Sequence, residues 1–276
     1  FMGPRSAPTR SSSAPAPARW KVGPKLRFTL VTVLNLLVFF AAWELFAIYS
    51  GIPRIFLPRF SAILAEFPEM LREGLLLPNL WVSVNNFVVG RVVGLAIGLP
   101  LAYAVGGIKV LDKVLGPYLW AFYSMPRIIL VPLVFLWLGI NNNTRIMIVI
   151  ISVIPQFAVV VMEGVKTTDN TLLRAARSFG ANKWQLFRKI IVPSTIPFIG
   201  TGIRLALLRG LIGLYIGELF ISSNGLGSII AFAKVRFDTA RVFAILLVFV
   251  LLGVLGLALT RYLETRLTKW RAPADL

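Results

Sequence analysis

The 276-residue sequence contains no cysteine and no histidine, and only 11 acidic residues stand against 29 Lys and Arg. These absences exclude disulfide bonds, zinc sites of the usual Cys/His type, and catalysis by Cys–His or Ser–His–Asp groups. We therefore expect no metal site and no catalytic residue. A phosphate-binding loop is also missing, because the only Lys followed by Ser or Thr, Lys166, is preceded by valine instead of glycine.

Charged residues of either sign are scarce, at 14% of the chain, whereas hydrophobic residues make up 57% and the mean hydropathy is +0.81. A water-soluble fold of this size could not bury so much apolar surface. The composition therefore predicts an all-α integral membrane protein surrounded by lipid. Membrane proteins collect basic residues for topological reasons, so the net charge of +18 is not evidence for nucleic-acid binding, and we expect none.

Six stretches are long and apolar enough to cross about 30 Å of hydrocarbon as helices. They are residues 28–50, 81–106, 117–139, 146–165, 195–221 and 242–260. An even number of crossings places both termini on one side of the membrane. With cytoplasmic termini the inner segments hold 18 Lys and Arg and the outer segments hold 7, which predicts an N-in, C-in topology.

These spans form one predicted transmembrane domain, residues 28–266, between two tails. Residues 1–27 are basic and rich in proline and serine, which predicts a disordered cytoplasmic tail. Residues 267–276 form a second cytoplasmic tail. Two amphipathic segments are expected to lie along the membrane surface, residues 61–73 outside and residues 107–116 inside.

Glycines recur at intervals of four in two of the predicted spans. Gly90, Gly94 and Gly98 lie in the second span, and Gly213 and Gly217 repeat the spacing in the fifth. A glycine face lets a neighbouring helix approach closely, and close approach stabilises helix contacts within a bilayer. These five residues therefore predict helix packing and say nothing about function by themselves.

Four arginines lie inside predicted spans, in which the carboxylates are Glu44, Glu218 and, at the end of the fourth span, Glu163. They are Arg91, Arg127, Arg204 and Arg209. An arginine at that depth costs about 2.5–3.5 kcal/mol to insert, so it should face protein or water. Arg204 is shallower, and the other three arginines together with Glu218 are candidates for lining a path that favours anions. The alternative is structural pairing with Glu44 or Glu218 or with exposed backbone carbonyls.

The longest predicted inner connection, residues 167–193, joins the fourth and fifth spans. Local rules divide it into two short helices. Asp169 or a neighbour can cap the first helix, and Gly180 can adopt the left-handed conformation at its end. Asn182 can cap the second helix, which we expect to stop before Pro193. A basic helical hairpin with exposed apolar groups suits either a socket in a partner protein or the lipid headgroup region.

One motif in this loop carries a family resemblance. Arg174-Ala175-Ala176, Gly180, Ile190 and Val192-Pro193 follow the spacing E-A-A-x3-G-x9-I-x-L-P, with arginine in place of glutamate and valine in place of leucine. The chain resembles the permease subunits of ABC importers of the nitrate/sulfonate/taurine type. The similarity extends outside the loop, through SVNNFVVGRVVGLAIGLPLA (83–102), MPRIILVPLVFLWLGI (125–140) and SSNGLG (222–227).

This resemblance implies a multi-pass subunit of the bacterial inner membrane that works as a homodimer. Two cytoplasmic ATPase subunits would bind ATP and Mg, so the chain itself would be no enzyme and carry no cofactor. An extracytoplasmic binding protein would deliver a small anionic solute, such as a sulfonate, taurine, nitrate or an organic or aromatic carboxylate. The residues implied in coupling to the ATPase are Arg174, Ala175, Ala176, Gly180, Trp184, Phe187, Ile190 and Pro193.

Two other functions remain open for a membrane protein of this composition. The alternative is an ion-coupled secondary transporter, although such proteins usually show internal repeats and acidic residues at depth. Neither feature is evident in this sequence. An intramembrane enzyme would need a cluster of nucleophile, base or metal ligands, which the available residue types do not supply.

Overall fold

The computed structural model of the protein describes residues 24–220 and 223–267, and every regular element in these ranges is a helix. The α-helices are α1 (Pro24–Tyr49), α2 (Phe60–Arg72), α3 (Leu76–Gly107), α4 (Lys109–Ser124), α5 (Val131–Leu138), α6 (Asn142–Lys166), α7 (Asn170–Ser178), α8 (Lys183–Leu186), α9 (Val192–Phe220), α10 (Leu226–Val235) and α11 (Thr239–Leu267). A 3₁₀ turn, Arg127–Leu130, precedes α5, and a π-helical turn, Phe187–Ile191, joins α8 to α9. The all-helical fold class is confirmed.

The described ranges contain five helices that are long and apolar enough to cross a membrane, and α4 with α5 would make a sixth span. The predicted third span, 117–139, is not one straight helix, because α4 and α5 meet at an angle of 99°. Pro126 explains the break: a proline disfavours helical backbone at the residue before it, and Met125 is extended with ψ 135°. The predicted surface segment 107–116 is not separate either, since α4 runs through it from Lys109.

The predicted tails fall mostly outside the described residues. Helix α1 begins at Pro24, within the tail predicted for residues 1–27, while residues 1–23 and 268–276 lie outside the description. The other predicted surface segment is present as α2, which continues through Pro68.

The long helices alternate in direction, which gives the bundle two distinct ends. At the α10 end, side chains of α2, α10 and the beginning of α11 share one apolar cluster that includes Ile63, Leu226 and Ile245. At the opposite end, called the loop end, α7 and α8 connect α6 to α9. Trp43, near the end of α1, packs in the apolar cluster at the α10 end, whereas Glu264, near the end of α11, lies 3.6 Å from Arg204 in the half of α9 nearer the loop end.

Helix α6 lies at the centre of the bundle and packs against both α3 and α9. All five glycines predicted to pack helices face it, namely Gly90, Gly94 and Gly98 of α3 and Gly213 and Gly217 of α9. A Cβ added at Gly94 would lie only 2.7 Å from the side chain of Val153. Glycine has no side chain, so the backbones of α3 and α6 approach closely at this point. This contact fixes the positions of the polar side chains described next.

Candidate functional site

The hairpin at the loop end consists of α7 and α8. Capping hydrogen bonds at both ends of α7 and at the beginning of α8 fix its shape. The Asp169 carboxylate accepts a hydrogen bond of 2.7 Å from the Thr171 N–H and caps α7. At the other end of α7, Gly180 has φ +81° and its N–H donates to the Arg177 carbonyl, while the Ala181 N–H donates to the Ala176 carbonyl. This pair of bonds is the Schellman arrangement, which satisfies free carbonyls and fixes the direction in which the chain leaves the helix.

Helix α8 begins with a capping box. The Asn182 side chain accepts from the Gln185 N–H at 2.8 Å, and the Gln185 side chain accepts from the Asn182 N–H at 2.9 Å. The expectation that this helix stops before Pro193 is wrong, because the π turn continues it into α9. In that turn the Val192 N–H donates to the Phe187 carbonyl five residues earlier, so the chain remains helical up to the proline, which lies in the first turn of α9.

Aromatic contacts connect the hairpin to two spanning helices. The Trp184 ring stacks on Phe187 with centroids 5.7 Å apart, and Phe187 meets the edge of Tyr103 on α3 at 5.2 Å. The Tyr103 hydroxyl is 2.7 Å from the Thr195 hydroxyl on α9. A displacement of α8 would therefore act directly on α3 and α9.

The outer surface of the hairpin presents large apolar groups between basic ones. Phe179 is 93% exposed and Trp184 is 63% exposed. Among the residues implied in ATPase coupling, Arg174, Ala175 and Gly180 are also exposed, while Ala176, Phe187, Ile190 and Pro193 are half-buried. This surface is open to a partner in the structure of the single chain.

Two of the candidate path residues, Arg127 and Arg209, lie together. They line one cavity of about 550 Å³ between the broken span, α6 and α9. Arg127 reaches it because the break after Pro126 turns the chain towards α9. The other lining residues are mostly apolar, among them Val131, Ile212 and Ile216.

Arg91 lies elsewhere, in a separate cavity of about 230 Å³ between α3, α9 and α11. Its Nη2 donates to the Thr260 hydroxyl at 3.2 Å. Leu211 and Leu214 of α9 line this second cavity, whereas Arg209 and Ile212 line the first. Two residues correspond to a rotation of about 200° around a helix, so the two cavities lie on opposite faces of α9.

Glu218 is fully buried at the α10 end, where it holds the beginning of α10. The Gly227 N–H donates to Glu218 Oε2 at 3.0 Å, and the Leu226 N–H donates to the Ser83 hydroxyl at 2.8 Å. Ser83 in turn donates to the Glu218 carboxylate, whose oxygens lie 2.6 and 2.8 Å away. A carboxylate next to free N–H groups at a helix N-terminus is electrostatically favourable.

Arg145 belongs to the same region and is the residue that the sequence analysis missed. It is only 1% exposed and donates to the Ser223 hydroxyl at 2.6 Å and to the Asn224 side chain. Arg145 lies between the predicted spans 117–139 and 146–165, so the predicted topology places it among the seven outer basic residues. The polar residues of SSNGLG, which otherwise lack partners in an apolar region, were the available signal for such a contact.

The deep arginines are not paired with the in-span carboxylates in the part of the chain that the structure describes. Glu44 instead accepts from the Ser61 hydroxyl at 2.8 Å and from the Ser61 N–H at 3.0 Å. The shallower Arg204 lies 3.6 Å from Glu264 of α11.

Residues 94–269 match the sequence profile of a family described as binding-protein-dependent transport system inner membrane component. The chain belongs to this family. This permease is 29% identical over 234 residues to the protein named aliphatic sulfonates transport permease protein SsuC of Bacillus subtilis, with 85% of each chain covered. It is 26% identical over 257 residues to the taurine transport system permease protein TauC of Escherichia coli, with 91% of this chain and 92% of TauC covered.

The fold of the permease is also found among solved structures. A chain of the MetNI methionine ABC transporter in an inward-facing conformation superposes with a TM-score of 0.60 at 20% identity, covering 68% of this permease and 94% of that chain. The resemblance inferred from the loop motif is thus confirmed, and the protein is an ABC permease that crosses the inner membrane several times.

Proposed function

We propose that the permease works as a homodimer in an ATP-driven importer of a small anionic solute, of the sulfonate, taurine, nitrate or organic carboxylate class. Two ATPase subunits bind the loop end from the cytoplasm and hold all of the ATP and Mg. A solute-binding protein delivers the solute at the α10 end from outside. The names of SsuC and TauC, which specify aliphatic sulfonates and taurine, support this solute class.

The observation that carries the proposal is the hairpin of α7 and α8. Both of its helices are capped within the chain, so its shape does not depend on a partner, yet Phe179 and Trp184 remain exposed. Large exposed aromatic groups on a rigid element are typical of protein-binding surfaces. Arg174 stands where the family motif has glutamate, so the contact made there is with a partner group that accepts a basic side chain.

Two contacts would transmit a displacement of the hairpin to the spanning helices. One is the aromatic contact of Trp184 and Phe187 with Tyr103. The other is the ion pair between Lys166, the last residue of α6, and Asp112 of α4 at 2.7 Å. Closure of the two ATPases would draw the two hairpins together, and these contacts would move α3, α4 and α9 with them.

We place Arg127 and Arg209 on the translocation path, since they share a cavity beside α9. Arg91 and Glu218 are left outside it, because Arg91 donates to Thr260 on the opposite side of α9 and Glu218 holds α10.

Reconstitution tests this function. The permease, its partner ATPase and its partner binding protein are placed in proteoliposomes with radiolabelled taurine or an alkanesulfonate. We expect uptake that requires ATP and is abolished when the phosphate-binding lysine of the ATPase is replaced by alanine. Uptake driven by a sodium or proton gradient in the absence of nucleotide would instead establish a secondary transporter.

A further inference from the structure

The cavity at the broken span contains two cations and no opposite charge. Its charged lining residues are Arg127 and Arg209, and neither forms an ion pair within residues 24–220 and 223–267. The two guanidinium groups therefore place like charges at the same cavity. Two like charges held together in a region of low polarity are unfavourable unless an anion compensates them.

The charged hydrogen-bonding groups in the cavity are the two guanidinium groups, which only donate, and the hydroxyls of Tyr123, Ser124 and Ser152 lie beside them. Arg127 Nε is buried and has no partner, and its Nη2 makes only a long contact of 3.5 Å with the Tyr123 carbonyl. Ser152 has already donated its proton to the Ile148 carbonyl at 2.8 Å. The guanidinium groups therefore supply the charged donors, and guanidinium groups match the paired oxygens of carboxylates and sulfonates.

Apart from the two arginines and these hydroxyl groups, the side chains that line the cavity are apolar. Ile128 and Val131 of the broken span face Ile148 of α6 and Ile212 and Ile216 of α9. A volume of about 550 Å³ is far more than an ion such as nitrate needs, and it lies in the range of pockets that enclose small organic ligands. A bare inorganic anion would leave most of this apolar wall in contact with water.

The second deep arginine site is built differently. Arg91 donates to Thr260, and its cavity of about 230 Å³ is less than half as large. Arg91 Nε is buried without a partner, as Arg127 Nε is, so a free guanidinium donor beside an apolar wall occurs in both cavities. The cavity of Arg127 and Arg209 differs in holding a second cation and in its larger volume.

We propose that this cavity is a solute-binding site of the permease itself, which takes one sulfonate or carboxylate group between Arg127 and Arg209 and the attached hydrocarbon group against the isoleucines. The permease then selects organic anions over inorganic ones after the binding protein has released the solute. The inference rests on the proposed function in one respect, that the bound anion is the transported solute.

Binding to the purified permease–ATPase complex in lipid nanodiscs tests this site. Titration calorimetry with methane-, butane- and hexanesulfonate should give affinities that rise about fourfold per added methylene, until the hydrocarbon chain fills the apolar part of the cavity. Nitrate and sulfate should bind far more weakly than hexanesulfonate. Butanol and hexanol control for partition into lipid, and either alcohol binding as tightly as the matching sulfonate overturns the proposal.

Variants separate the two halves of the site. Arg209→Gln should weaken every sulfonate by about 10- to 100-fold, as expected for loss of a charged hydrogen bond, and leave the chain-length dependence unchanged. Arg127→Lys keeps the positive charge but removes the paired N–H donors of the guanidinium group. It should therefore weaken sulfonate binding less than Arg209→Gln does. Ile212→Thr should leave methanesulfonate binding unchanged and flatten the dependence on chain length.

Arg204→Gln is the matched control, because it removes the same charge from α9 outside the cavity. Binding weakened equally by Arg204→Gln and Arg209→Gln would overturn the proposal, as would equal affinities for nitrate and hexanesulfonate. Each of these results is compatible with ATP-driven uptake, so the proposed function would survive them. Intact sulfonate binding in a protein that shows no ATP-driven uptake would instead overturn the proposed function and leave the proposed binding site standing.

Discussion

At the scale of single residues, the polar groups at the α10 end replace a local helix cap with a tertiary one. Helix α10 begins after Gly225, which has φ +93° and no side chain to accept from the first N–H groups. Ser83 of α3 and Glu218 of α9 accept from them instead. The beginning of α10 is consequently held by two spanning helices and should respond when they separate.

Ser83→Ala tests this role. The substitution removes the hydroxyl that accepts from the buried Leu226 N–H at 2.8 Å and leaves the Glu218 carboxylate as the remaining acceptor, at a cost of up to about 1–3 kcal/mol. We expect amide hydrogen exchange at Leu226 and Gly227 to become about 5- to 150-fold faster, corresponding to that loss of local stability. Ser61→Ala is the control, because Ser61 lies at the same end of the bundle and bonds Glu44. Equal exchange in wild type and Ser83→Ala would show that the cap does not depend on this hydroxyl.

At the scale of elements, the angle between α7 and α8 depends on one backbone conformation. Gly180 has φ +81°, and a Cβ added there would meet no atom within 4 Å. Any effect of a substitution at Gly180 therefore comes from the backbone and not from steric contact. The conformation is unfavourable by about 1–2 kcal/mol for residues with a side chain, and asparagine tolerates it better than β-branched residues do.

Gly180→Val should accordingly change the angle of the hairpin and reduce the number of solute molecules imported per ATP hydrolysed. Gly180→Asn, which also adds a side chain, should retain most of the coupling. The measurement is the ratio of uptake to phosphate release in proteoliposomes. A ratio in Gly180→Val equal to that of the wild type would exclude the hairpin angle as the coupling element.

At the scale of the whole molecule, function requires the loop end to face the cytoplasm. The alternation of the helices places α7, α8 and both ends of the described chain on one side of the bundle, and the basic residues are concentrated on that side. The positive-inside rule predicts that this side faces the cytoplasm.

Single-cysteine labelling measures this topology cleanly, because the sequence contains no cysteine of its own. Ile140, between α5 and α6, is 75% exposed at the α10 end, and Phe179 is 93% exposed at the loop end. A membrane-impermeant maleimide should label Ile140→Cys in intact spheroplasts and Phe179→Cys only after lysis. The reverse pattern would place the hairpin out of reach of any cytoplasmic ATPase.

The sequence by itself determined the features that depend on neighbouring residues. Apolar stretches predicted the spans because crossing a bilayer needs a continuous run. The caps at Asp169, Gly180 and Asn182 were predictable because each involves groups only a few residues apart.

Tertiary structure alone decided which distant residues meet. Glu218 and Ser83 lie 135 positions apart in the chain, and no local rule connects them. Arg91 and Arg209 have the same chemistry and similar depth, yet they lie on opposite faces of α9, because the packing of α3, α6 and α11 around that helix sets its rotation. The break at Pro126 is local, but only its 99° bend brings Arg127 to Arg209. Local bonding determines which helices form, while close packing across the bundle determines which of their faces enclose a site.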